Sequence, residues 1–161
     1  MKFLIVGLLA LALAAPAAAN PEIANSRPVL EGVARYEKPS NEPPRPVARA
    51  ERAADRIARR PYVYGGGHSG FQSAGYDCSG SVSYVLHAAG VLSAPLASGG
   101  LAGFGLPGRG RYITIYANGG HAWMTIRGRR FDTIALKQTG SRWSRVAASA
   151  AGYTVRHPAG L

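Results

Sequence analysis

The chain has 161 residues, a single cysteine and a formal charge of +11, with 16 arginines among its 19 basic residues. That length holds one domain and a tail, and one cysteine excludes a disulfide-stapled fold. The charge suits polyanionic surroundings such as nucleic acid, anionic lipid or charged envelope polymers, or else reflects an arginine-rich composition alone.

Met1 to Ala19 has the build of an export signal. Lys2 supplies the positive start, Phe3 to Leu13 an apolar stretch of signal-core length, and Ala17-Ala18-Ala19 small residues for cleavage. The run falls short of the roughly 20 apolar residues of a membrane span, and an uncleaved anchor is the alternative. Cleavage removes Lys2, leaving +10 and no integral membrane segment. The absence of a cysteine at the cleavage site argues against a lipid anchor. An exported chain meets envelope polymers rather than nucleic acid.

Residues 20–46 are proline-rich and poor in large apolar side chains. They cannot bury enough surface to offset ordering entropy, so a flexible leader is expected. Residues 47–161 then form the domain. Val47 to Arg60 spaces Ala50, Ala53, Ala54 and Ile57 along one helical face, and Pro61 ends it. Pro61 to Gly75 reads as a glycine-rich loop. A second helix runs from Cys78 to Ala89, with Val82, Val85, Leu86 and Ala89 buried and Gly90 as its stop. Ser93 to Gly110 is a long loop.

Strands follow: Arg111 to Tyr116, the turn Asn118-Gly119-Gly120, His121 to Ile126, the turn Arg127-Gly128, Arg129 to Ile134, and Tyr153 to Arg156 as an edge. Helices followed by a run of antiparallel strands make the fold class α+β.

Cys78 lies in Tyr76-Asp77-Cys78-Ser79-Gly80, at the first turn of the second helix. A helix N-terminus stabilises a thiolate, Asp77 can cap, and the apolar stripe begins only at Val82. Gly80 lets another segment approach closely, and first-turn N–H groups can receive an oxyanion. A thiol nucleophile needs a base. His68 sits in the glycine loop with no second metal ligand nearby and reads as solvated. His87 ends a helix, and His157 is in the C-terminal tail. His121 opens a strand, where it can be held rigidly.

A third group orients the base. A two-residue turn at Arg127-Gly128 pairs Ile126 with Arg129 and brings His121, Trp123, Asp132 and Ile134 to one face. A three-residue loop presents Thr133 instead. Asp132 can also be an ordinary carboxylate neutralised by Arg129 or Arg130. No metal, nucleotide or phosphate motif is present, so no cofactor is expected.

Pro61-Tyr62-Val63-Tyr64-Gly65-Gly66, Tyr76-Asp77-Cys78-Ser79-Gly80-Ser81-Val82 and the strand-opening Gly120-His121 together resemble the NlpC family of cell-wall cysteine peptidases. The likeness spans about Ala50 to Thr133. It implies a papain-like domain that hydrolyses peptide bonds in peptidoglycan stems. Cys78 would be the nucleophile, His121 the base, and Tyr62 the tyrosine near the nucleophile and the oxyanion site. The family's third polar residue lies in the next strand; strict counting selects Thr133, and one residue fewer selects Asp132, the choice that strand parity favours. The family's Pro-Arg-x-x-x-Gln segment is replaced by Ser98-Gly99-Gly100-Leu101-Ala102-Gly103-Phe104-Gly105, and its Pro-Gly-Asp by Pro107-Gly108-Arg109-Gly110-Arg111. Both help to build the substrate groove.

The expected function is an exported, monomeric peptidase acting on peptidoglycan peptides through a Cys-His thioester. Two readings stand beside it. One is a weakly catalytic module that binds anionic envelope polymers, since nine basic residues face two acidic ones from Pro61 onward. The other is a thiol amidase or acyltransferase using the same pair.

Overall fold

The computed structural model describes residues 42–161; the expected export signal and most of the expected leader lie outside them. Helix α1 spans Arg45–Ile57. It starts two residues before the expected Val47 because Pro46 falls in the first turn, where a missing N–H costs nothing. Val47, Ala50, Ala53, Ala54 and Ile57 form its buried face. The small alanines let it lie close against helix α2, Cys78–Ala89, which begins and ends where the sequence pattern sets it. Asp77 caps α2 by accepting from Gly80 N–H at 2.7 Å, and Gly90 closes it at φ 83°. Burial on α2 extends beyond the expected stripe, to Ser79, Gly80, Ser81 and Ser83.

The long stretch expected as loop carries a short helix α3, Ser98–Ala102, and a two-residue strand β1, Leu106–Pro107. Strands β2 (Ile113–Ala117) and β3 (Ala122–Ile126) pair in antiparallel register, Ile115 with Met124 and Ala117 with Ala122. Ile113, Ile115, Ala117, Ala122, Met124 and Ile126 point inward and are fully or almost fully buried. Burying aliphatic side chains of this size contributes roughly 1.5–3 kcal/mol each. The two-residue turn then pairs Ile126 with Arg129 in β4, Arg129–Phe131.

Three expectations are corrected here. The third strand stops at Phe131 instead of Ile134, because Asp132 accepts from Ile134 N–H at 2.9 Å and starts helix α4, Thr133–Thr139. A short strand β5, Trp143–Ser144, returns beside β4. The last strand, β6 (Thr154–His157), is interior rather than an edge, and it contains His157, expected in a tail. The six strands run β1-β6-β2-β3-β4-β5, with β1 and β5 at the edges. Among the described residues no helix is long and apolar enough to cross a membrane.

Candidate active site

The glycine-rich loop and the start of α2 are one unit. Asp77 N–H donates to Gly66 O at 3.3 Å, Tyr76 N–H to Pro61 O at 3.0 Å, and Gly65 N–H to Asp77 Oδ2 at 3.1 Å. A Cβ on Gly80 would collide with the Gly66 carbonyl oxygen. Gly80 therefore admits the close approach that its sequence position suggests, and the approaching segment is the Gly65-Gly66 loop. His68 is not simply solvated. Its Nε2–H donates to Asp77 Oδ1 at 3.1 Å, and Ser79 Oγ lies at the same distance from Nε2. His87 and His157 are tied to backbone carbonyls, of Leu92 and Gly108, away from Cys78.

Cys78 is the first residue of α2 and is half-buried. By helix geometry its own N–H and that of Ser79 have no intrahelical carbonyl to bond. His121 precedes β3 and is held by the turn before it. Asn118 Oδ1 accepts from both Gly120 N–H and His121 N–H at 2.9 Å. His121 Nε2–H donates to Asp132 Oδ1 at 2.9 Å, leaving Nδ1 for the thiol. The Asp132 side chain is 1% exposed, and Arg130 clamps its other oxygen, with Nε at 2.9 Å and Nη2 at 2.8 Å. Asp132 thus meets His121 as the sequence parity requires. It does so from the cap of α4, just past the end of the strand.

These contacts shift the three groups in a consistent direction. Burial pushes the Cys78 thiol up, but the hydrogen bond from His121, the Ala122 backbone N–H and the imidazolium charge outweigh it, and the thiol titrates below its usual value. The bond to Asp132, then that to Cys78, raises His121 from 6.5 to about 9 against the opposing effect of burial. Burial raises Asp132, but His121, the Ile134 N–H and Arg130 hold it below its ordinary value. The lowered thiol, the raised imidazole and the lowered carboxyl all shift toward the thiolate–imidazolium–carboxylate state that a sulfur nucleophile requires.

Tyr62 is 51% exposed and lines a groove of about 1050 Å³ with His121, Thr133, Ile134, Lys137 and Gln138. It makes no hydrogen bond among the described residues. Burial, then the charge on Cys78, raises its pKa, which puts its phenol within electrostatic reach of the sulfur. Thr133, the alternate third residue, is buried at the start of α4, and Asp132 occupies the contact with His121.

The chain superposes on the peptidoglycan hydrolase RipB of Mycobacterium tuberculosis with a TM-score of 0.50 and 27% identity, over 71% of this chain and 68% of that one. A hypothetical invasion protein of the same organism aligns with a TM-score of 0.48 and 22% identity, over 74% and 67%. No protein-family model and no curated protein matches the chain. The chain is similar in fold to RipB, in keeping with the NlpC-like motifs of its sequence. The papain-like α+β architecture that the motifs imply is the one the structure has.

Two features of this NlpC-like domain escape sequence reasoning. Arg130 reads in the sequence as a neutralising charge alone, although strand parity places it on the same face as Asp132. Arg142 gave no signal at all, yet its side chain is fully buried. It donates from Nε to Ser81 Oγ at 2.9 Å, from Nη1 to Ile57 O at 2.7 Å and Arg60 O at 2.6 Å, and from Nη2 to Tyr76 O at 2.9 Å. Its carbonyl accepts from Asp132 N–H at 2.8 Å. One residue therefore ties the end of α1, the start of α2 and the Asp132 backbone together. By capping Ile57 O and Arg60 O it also explains why α1 stops at Ile57, three residues before the expected end. Burial lowers its pKa to about 10, and it remains charged at neutral pH.

Proposed function

We propose that the chain is an exported cysteine peptidase that hydrolyses peptide bonds in peptidoglycan stem peptides. The observation that carries this reading is the line Cys78, His121, Asp132, with His121 bonded to a buried carboxylate and facing a thiol of lowered pKa. The likeness to RipB, a peptidoglycan hydrolase, supports the substrate class. The export signal in residues 1–19 accounts for access to that substrate.

The Cys78 thiolate attacks the peptide carbonyl carbon, forming a C–S bond and an oxyanion. The orphan N–H of Cys78 receives that oxyanion, and Tyr62, which lines a groove with His121, assists. Collapse breaks the C–N bond, and the leaving amine takes the proton from the His121 imidazolium. Neutral His121 then accepts a proton from water as the water attacks the thioester. The carboxyl product leaves, and the thiolate and imidazolium are restored. Asp132 keeps the ring oriented through both steps, and Arg130 keeps Asp132 ionised.

The test compares solubilisation of purified sacculi by the chain, by Cys78→Ala and by His121→Ala. Loss of activity in both variants, with folding retained, is expected. Equal activity in all three would remove the basis for the proposal.

A further inference from the structure

A second cavity, of about 330 Å³, lies on the face of the sheet opposite the helices. Its floor is Tyr116 and Trp123, paired across β2 and β3 and stacked at 3.8 Å between ring centroids. Its rim is arginine: Arg109, Arg111, Arg130 and Arg145 all line it, and no acidic residue does. Arg130 is committed to Asp132, but Arg109, Arg111 and Arg145 have no carboxylate partner among the described residues. From Pro61 onward the chain has nine basic residues, so nearly half of them converge on this groove. The two acids of the same span, Asp77 and Asp132, are engaged at the thiol site. Thr125 adds a hydroxyl to the lining.

We propose that this groove binds an oxyanion group, phosphate or carboxylate, carried by an anionic envelope polymer. Guanidinium forks match the planar and tetrahedral geometry of such groups, and several on one concave wall reinforce one another. The aromatic floor excludes water beneath the anion, which strengthens the attraction. The site does not depend on catalysis at Cys78, and its function would be to hold the enzyme on its polymer.

The experiment uses the full chain with Trp143→Phe, which leaves Trp123 in the groove as the one tryptophan. Its fluorescence is titrated with inorganic pyrophosphate for the phosphate arm and with citrate for the carboxylate arm. A saturable change is expected with at least one of them, and the tighter of the two identifies the source of the anion. Arg109→Ala, Arg111→Ala and Arg145→Ala combined should weaken binding at least tenfold and leave the rate of Cys78 alkylation unchanged. Arg45→Ala, Arg52→Ala and Arg59→Ala, an equal loss of exposed charge along α1 and the turn that follows it, should weaken it less than twofold. Equal weakening by both triple variants, or no saturable change with either anion, overturns the proposal. Adding Cys78→Ala should leave the titration as it is, which separates this outcome from any failure of the peptidase reading.

Discussion

Replacing Asp132 by asparagine removes one negative charge beside His121 and keeps the side chain's shape. Asparagine also caps helices well, so α4 keeps its start. Raising the imidazole from 6.5 to about 9 favours its protonated form by roughly 3 kcal/mol. The Asp132 bond is the largest contribution to that rise, ahead of Cys78. If half or more of it goes with Asp132, the alkaline limb of the rate profile drops from near 9 to below about 8. The imidazolium also stabilises the thiolate, so the rate at neutral pH should fall roughly tenfold to a hundredfold. Hydrolysis of stem peptides across the pH range gives the limb, and iodoacetamide alkylation of Cys78 in mild acid gives the thiolate fraction without a substrate. An alkaline limb still near its original position, with both rates within twofold of the parent, would refute the role assigned to Asp132.

Other outcomes follow from the same contacts. Arg142→Leu strands the carbonyls of Tyr76 and Arg60 at about 1–3 kcal/mol each, so urea unfolding should show a loss of roughly 2 kcal/mol or more. Gly80→Ala forces the Gly66 carbonyl away from α2, and it should cost about 1–3 kcal/mol and slow Cys78 alkylation severalfold. Asn118→Ala frees the Gly120 and His121 N–H groups, and it should lower stability by about 1 kcal/mol while reducing kcat more than it raises KM. His121 titrates higher in the folded chain, so its stabilising effect is full below about 6.5 and disappears as pH rises through about 9. The difference in urea midpoint between the parent and His121→Gln should narrow over that interval.

The features legible in the sequence are those set by neighbouring residues. Asp77 and Gly90 bound α2 through bonds to residues three or four positions away, so its limits can be read directly. The Arg127-Gly128 turn sets the β3–β4 register locally, and that register brings Asp132 toward His121. The signals for α4 were also present, an Asp132 cap and a Gly140 stop at φ 77°, but strand alternation from Arg129 masked them. Distant contacts leave no such trace. β6 is interior because β1, nearly fifty residues earlier, pairs with it. The side-chain partners of Arg142 lie 61 to 85 positions away, and nothing near Gly140-Ser141-Arg142 announces a buried guanidinium. His68 reads as solvated for a related reason, since its partners Asp77 and Ser79 meet it only after the glycine loop folds over α2.

The central claim is that Cys78 cleaves peptide bonds in the cell-wall polymer. The most direct measurement counts the chemical ends released when purified peptidoglycan is digested by the chain and by Cys78→Ser. The account predicts one new amino group for each bond broken by the parent, no new reducing sugar ends, and no release above background by the variant. Reducing ends in the digest, or amine release that survives loss of the thiol, would contradict it.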